Sequence, residues 1–105
     1  MIGFIKNMFS GKGNEALQSQ LDAGAVVIDV RSEGEFSGGH IKGSKNIPLN
    51  SLSGKLADVK KLNKPVVCVC ASGIRSAQAT NFLNQNGVTA VNGGSWYSVE
   101  KLIQK

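Results

Sequence analysis

One stretch of this 105-residue chain sets a nucleophile, a short loop and a cation at a spacing suited to covalent chemistry: Cys70-Ala71-Ser72-Gly73-Ile74-Arg75. It follows the apolar run Val66-Val67-Cys68-Val69 and precedes helix-forming residues, so it reads as a strand end, a loop and a helix start. Backbone N–H groups at a helix amino terminus carry partial positive charge, and loop amides that curl into it point into one concavity that favours an anion. A cysteine thiolate is such an anion. Cys70 beneath this cradle, with Arg75 nearby, is expected to have a lowered pKa and a larger nucleophilic fraction at neutral pH. Gly73 lets the backbone bend without a Cβ clash. The competing reading is a core strand with two inert cysteines. Position separates them, because Cys68 lies within the strand and Cys70 at its mouth.

Other chemistries are poorly served. Cys68 and Cys70 are one residue apart, and side chains at that spacing on a strand lie about 7 Å from each other, too far for an easy disulfide. Free thiols in a reducing compartment fit better, and a cytoplasmic location is expected. With one histidine and no Cys-x-x-Cys pair there is no set of four soft ligands for a structural zinc, so no metal is expected. The net charge of +5 is spread over scattered lysines, without a basic stripe interleaved with aromatics, so no nucleic-acid partner is expected. The apolar runs are far shorter than the ~20 residues of a membrane span.

The elements that must position Cys70 alternate regularly. Residues 15–21 read as a helix capped by Gly24, and residues 25–30 as a strand whose β-branched run marks burial on both faces of a parallel sheet, with Asp29 at its carboxyl end. Residues 31–44 read as a glycine-rich loop or short helical turn, and residues 45–47 as a brief strand ended by Pro48. Leu52, Leu56, Val59 and Leu62 have helical spacing, and residues 63–65 close that helix. After the strand Val66–Cys70, a helix over residues 75–86 is capped by Gly87. A strand over residues 88–91, a turn at Gly93-Gly94 and a final helix over residues 95–104 follow. This pattern predicts an α/β fold with a mostly parallel sheet, helices on both faces and a site past the carboxyl ends of the strands. Residues 1–13 read as a short apolar segment, helical over 1–9, and a linker; residues 14–105 read as one domain.

Over nearly all of residues 14–105 the sequence resembles the rhodanese, or sulfurtransferase, family. The resemblance rests on Ile28-Asp29-Val30-Arg31 with Glu35-Phe36, the stretch from Gly39-His40 to Pro48, the loop from Cys70 to Arg75, and Gly93-Gly94 before Trp96. It implies the rhodanese fold and a persulfide mechanism. Cys70 would attack a sulfane sulfur, hold it as a persulfide and pass it to cyanide or another thiol. The amides of Ala71, Ser72, Gly73, Ile74 and Arg75 would cradle the sulfur, and Arg75 would close the loop and support the anion. Asp29, Arg31 and Glu35 read as a polar network that fixes the loop, and His40 as a structural hydrogen-bonding residue rather than a general base. A single residue between the glycine pair and the tryptophan departs from the family's usual spacing.

Two alternatives share the fold. Phosphatase and arsenate-reductase relatives carry a loop one residue longer, and this loop has no acidic residue to protonate a leaving group. The other is a protein-binding or persulfide-relay module without independent turnover, and family modules that only bind or scaffold typically lack the cysteine. Ala71, Ser72 and Ile74 are neutral, so the loop offers a thiosulfate dianion little charge, and a protein or low-molecular-weight persulfide is as plausible a donor. The expected protein is a monomer that needs no organic cofactor and works on a small sulfur donor and a thiol or cyanide acceptor, with room for a protein donor or acceptor.

Overall fold

A computed structural model describes residues 13–104, and the expected amino-terminal helix over residues 1–9 lies outside the described residues. Among the described residues five α-helices and four strands alternate: α1 (Gly13–Asp22), β1 (Val26–Asp29), α2 (Glu33–Ser37), β2 (Lys45–Asn46), α3 (Leu56–Leu62), β3 (Val66–Cys70), α4 (Ile74–Gln85), β4 (Ala90–Ser95) and α5 (Trp96–Ile103). The sheet is parallel throughout, in the order β2-β1-β3-β4. Parallel strands need long crossovers, and the helices that supply them cover both faces.

β3 sits at the centre of this arrangement, with all five residues buried. Its side chains alternate between two cores, as the period of a strand requires. Val66, Cys68 and Cys70 pack with Ile28 and Val30 of the β1 region, Val59 of α3, and Ala79 and Leu83 of α4. Val67 and Val69 face the other way, onto Leu17 of α1, Val27 and Val99 of α5. In a sheet of this order the connections from β1 and from β3 run to opposite sides, which opens a crevice at the carboxyl ends of those two strands. Asp29 and Cys70 end there.

Local chemistry sets the ends of the helices. Gly24 and Gly87 follow α1 and α4 with φ near +90°, as their expected capping role requires. Asn63 closes α3 in the left-handed conformation at φ 52°, with Pro65 just beyond. Ser32 starts α2 with a reciprocal capping box to Glu35.

Two expectations are corrected. The helix expected from Leu52 starts only at Leu56, after the 3-10 turns Leu49–Ser51 and Ser53–Lys55. Ser53 and Gly54 are weak helix formers, while Leu52 is still held in the core at 1% exposure. The last strand spans Ala90–Ser95 rather than 88–91, so Gly93-Gly94 is strand and not a turn. Pairing with β3 carries the chain through the glycines, and the register moves from Cys68 opposite Asn92 to Val69 opposite Gly94, which leaves Gly93 as a bulge. A Cβ at Gly93 would lie 2.8 Å from both Val67 Cγ1 and Val99 Cγ2, so the sheet can carry α5 this closely only over a glycine.

Gly93→Ala is therefore expected to destabilise the fold by about 1–3 kcal/mol through overpacking. Chemical denaturation should show a lower midpoint at unchanged slope. An unshifted midpoint would mean that Val67 and Val99 yield without cost.

Candidate active site

Cys70 ends β3 with no accessible surface, and the chain turns back over its sulfur. The Gly73 amide donates to Sγ at 3.0 Å and the Ser76 amide at 3.4 Å, while the Ser76 hydroxyl oxygen lies 3.4 Å from it. Gly73 makes the turn possible. Its φ is +102°, a conformation that side chains rarely adopt, and a Cβ there would meet the Gly94 Cα at 3.4 Å. Gly73 is also the N-cap of α4 and has no side chain to bond the first-turn amides. The sulfur of Cys70 occupies that capping place.

The two thiols are consequently unlike. Burial pushes Cys70 up, but hydrogen bonds from the Ser76 side chain and from the Ser76, Gly73 and Ser72 amides outweigh it, and the net pKa falls below the ordinary thiol value. Burial pushes Cys68 up to about 11, against a partial offset from the Thr80 hydroxyl and with added repulsion from Cys70. Neither cysteine is in a disulfide.

The polar residues expected to form one network form two. Asp29 is fully buried and pairs with Arg31: Nε donates to the two carboxylate oxygens at 2.9 and 3.1 Å, and an Nη at 2.7 Å. The same Nη bonds the Gly39 carbonyl at 2.7 Å, and the guanidinium carbon stands 4.9 Å from the centre of the Trp96 ring. Asn46 adds bonds from Nδ2 to the carbonyls of Asp29 and Arg31, each at 3.0 Å. This assembly joins β1, β2 and the start of α5.

Glu35 belongs to the other network. Its carboxylate takes both Arg75 Nη groups, at 2.8 and 3.1 Å. Arg75 thus bridges from the loop to α2 instead of lying over the sulfur, although its charge still senses Cys70 at longer range. The Arg75 guanidinium, with help from the Ser32 backbone and hydroxyl, lowers the Glu35 pKa to about 2. His40 stacks on Phe36 with centroids 3.7 Å apart and bonds the Phe36 carbonyl through Nδ1 at 2.8 Å. Ala71 and Ile74 complete the loop, Ile74 with 69% of its surface exposed.

Sequence reasoning missed Ser76 and Asn92. Ser76 lies one residue past the expected cradle, and only its place in the first turn of α4, facing the end of β3, signals its role. Asn92 comes from a strand that the sequence placed too early. Among the described residues no group of three His, Cys, Asp or Glu side chains is placed to hold a metal ion, and no helix is long and apolar enough to cross a membrane.

Residues 13–97 match the profile of the family described as the rhodanese-like domain. The chain belongs to that family. The thiosulfate sulfurtransferase GlpE of Pseudomonas aeruginosa PAO1 is 34% identical over 100 residues, covering 90% of each chain. The uncharacterized protein YqhL of Bacillus subtilis is 42% identical over 67 residues, 64% of this chain, and the match spans about half (52%) of that protein's length. Among solved structures, the human single-domain sulfurtransferase TSTD1 superposes with a TM-score of 0.65 at 34% identity, covering 87% of this chain and 93% of the other. The chain thus has the rhodanese-like α/β fold.

Two outcomes follow from the two rhodanese-domain networks. Arg31→Ala leaves Asp29 buried without its counter-charge, holding only the residue-31 backbone amide at 3.0 Å, and denaturation should show a loss of about 3–5 kcal/mol; a loss below about 1 kcal/mol would mean that solvent reaches Asp29. Because Glu35 has a depressed pKa, its contribution is full above its ordinary value of 4.5 and is lost as pH falls through about 2. The thermal midpoint of the wild type should exceed that of Glu35→Gln above pH 4.5 and converge with it towards pH 2; a constant gap would exclude the pair as its source.

Proposed function

We propose that the protein is a sulfurtransferase in which Cys70 cycles between thiolate and persulfide. The observation that carries this is the sulfur of Cys70 at the end of β3, accepting the amides of Gly73 at 3.0 Å and Ser76 at 3.4 Å. Such a site lowers the energy of a sulfur anion without a metal and without a basic side chain on the thiol. The names of the GlpE and TSTD1 relatives support the same reading.

In the first half-reaction the thiolate attacks the outer sulfur of a donor. With thiosulfate the S–S bond breaks as the Cys70 S–S bond forms, and sulfite leaves with the bonding pair. In the second, cyanide or a thiolate attacks the outer sulfur and Cys70 leaves as the thiolate. Charge and atoms balance in each step, and the amides that stabilised the attacking thiolate stabilise it again on departure. Ala71, Ser72, Gly73, Ile74 and Arg75 line the bound sulfur, while Asp29, Arg31, Glu35 and His40 hold the surrounding backbone.

The donor class follows from charge. Arg75 is the loop's single cation, and Glu35 already takes both of its Nη groups. A thiosulfate dianion therefore gains little from it, whereas a persulfide on a small thiol or on a protein needs no free cation. We place the protein in the cytoplasm as a monomeric domain over residues 14–105, where both thiols stay reduced.

The test is intact mass after brief exposure to thiosulfate or to glutathione persulfide, followed by cyanide. One sulfur atom should be gained, faster from the persulfide, removed by cyanide and absent in Cys70→Ser, while Cys68→Ala keeps most of the activity. If neither donor loads the reduced, folded protein, a binding or relay module replaces the enzyme.

A further inference from the structure

Ser76 is fully buried beside the nucleophile, and its hydroxyl has one proton for two neighbours. Its oxygen lies 2.7 Å from Asn92 Oδ1 and 3.4 Å from Cys70 Sγ. Asn92 Oδ1 can only accept, so the short contact uses the Ser76 proton. The orientation of the amide is set on both sides, since Nδ2 donates to the Gly73 carbonyl at 3.2 Å and Oδ1 accepts the Gly94 amide at 2.9 Å. With the hydroxyl proton held there, a Cys70 thiol can donate its own S–H to the Ser76 oxygen, but a thiolate meets a lone pair. The hydroxyl must rotate to serve the anion. After that rotation Asn92 Oδ1 keeps the Gly94 amide, so no acceptor is orphaned.

We propose that Ser76 is a switchable donor to the Cys70 sulfur, and that Asn92 is the positioning residue that draws its proton away while the sulfur is a thiol. Asn92 thereby opposes ionisation, even though its Nδ2 braces the loop that favours it. The inference rests on the reading of Cys70 as the nucleophile, not on the identity of the donor. The charged and titratable groups around the sulfur are Cys68 on β3, Asp29 on β1, which is paired with Arg31, and Arg75 on α4, which is paired with Glu35 on α2; β4 contributes none.

The experiment is the pH profile of iodoacetamide alkylation of Cys70 in a Cys68→Ala background, read as the midpoint rather than the plateau, with thermal unfolding to confirm folding. Ser76→Ala should raise the midpoint and reduce the thiolate fraction below it about five-fold, the worth of one hydrogen bond. Asn92→Ala and the bulkier Asn92→Leu should lower the midpoint and raise that fraction about two- to five-fold, because the hydroxyl is released to the sulfur. Combined with Ser76→Ala, the Asn92 substitutions should no longer lower the midpoint, because only the loss of the Nδ2 bond to the Gly73 carbonyl remains. A purely structural Asn92 predicts the opposite sign, from a loosened loop. A raised midpoint in the Asn92 single variants, or a lowering that persists without the Ser76 hydroxyl, overturns the proposal. Sulfur loading is a separate readout: a protein that titrates as described but takes up no sulfur refutes the transferase reading and leaves this one standing.

Discussion

The burial of β3 between two helical layers is the constraint from which the rest of the molecule follows. A strand covered on both faces has no water to solvate a charge at its end, and Cys70 occupies that end without accessible surface. Any anion on its sulfur must therefore be solvated by the protein. The turn through Gly73 brings two backbone amides and one hydroxyl within reach of the sulfur, and the left-handed φ of that glycine is what admits the turn. Cys68, two residues earlier on the same face, has no such donors from the backbone and is held as a neutral thiol.

The site is consequently built from dipoles, with its formal charges already paired. The two arginines of the chain are both committed, Arg31 to Asp29 in the interior and Arg75 to Glu35 at the surface. The first pair holds the backbone where β1 leaves the sheet and ties it to Trp96 and Gly39. The second holds the loop to α2 and leaves a mouth with an exposed Ile74 and no free guanidinium. Oriented amides cost little reorganisation when charge develops between them, which suits the proposed cycling of the Cys70 sulfur between thiolate and persulfide.

β4 ties this arrangement together from the far side. Its Gly93 bulge lets α5 settle against Val67 and brings Gly94 up to Gly73, while Asn92, the last residue in register before the bulge, bonds Ser76 and the Gly73 carbonyl. Packing behind the sheet and hydrogen bonding in front of it thus meet at one irregularity.

The continuous apolar run Val66–Cys70 and the loop that follows were legible as they stand, because a doubly buried strand and a glycine turn into a helix are local patterns. So were the helix ends at Gly24 and Gly87, where conformational freedom is a property of one residue. The position of β4 was not legible, since glycines that look like a turn become strand only when Val67, Val69 and Val99 leave no room for a Cβ. Nor was the choice of partner for Arg75: Glu35 is 40 residues away in sequence, and a long side chain at a loop selects its carboxylate by distance in space. Sequence alone singled out Cys70 as the proposed nucleophile and the loop that surrounds it. The tertiary structure decided which side chains share its proton and its charge, because hydrogen bonds depend on separations of tenths of an ångström that no spacing along the chain encodes.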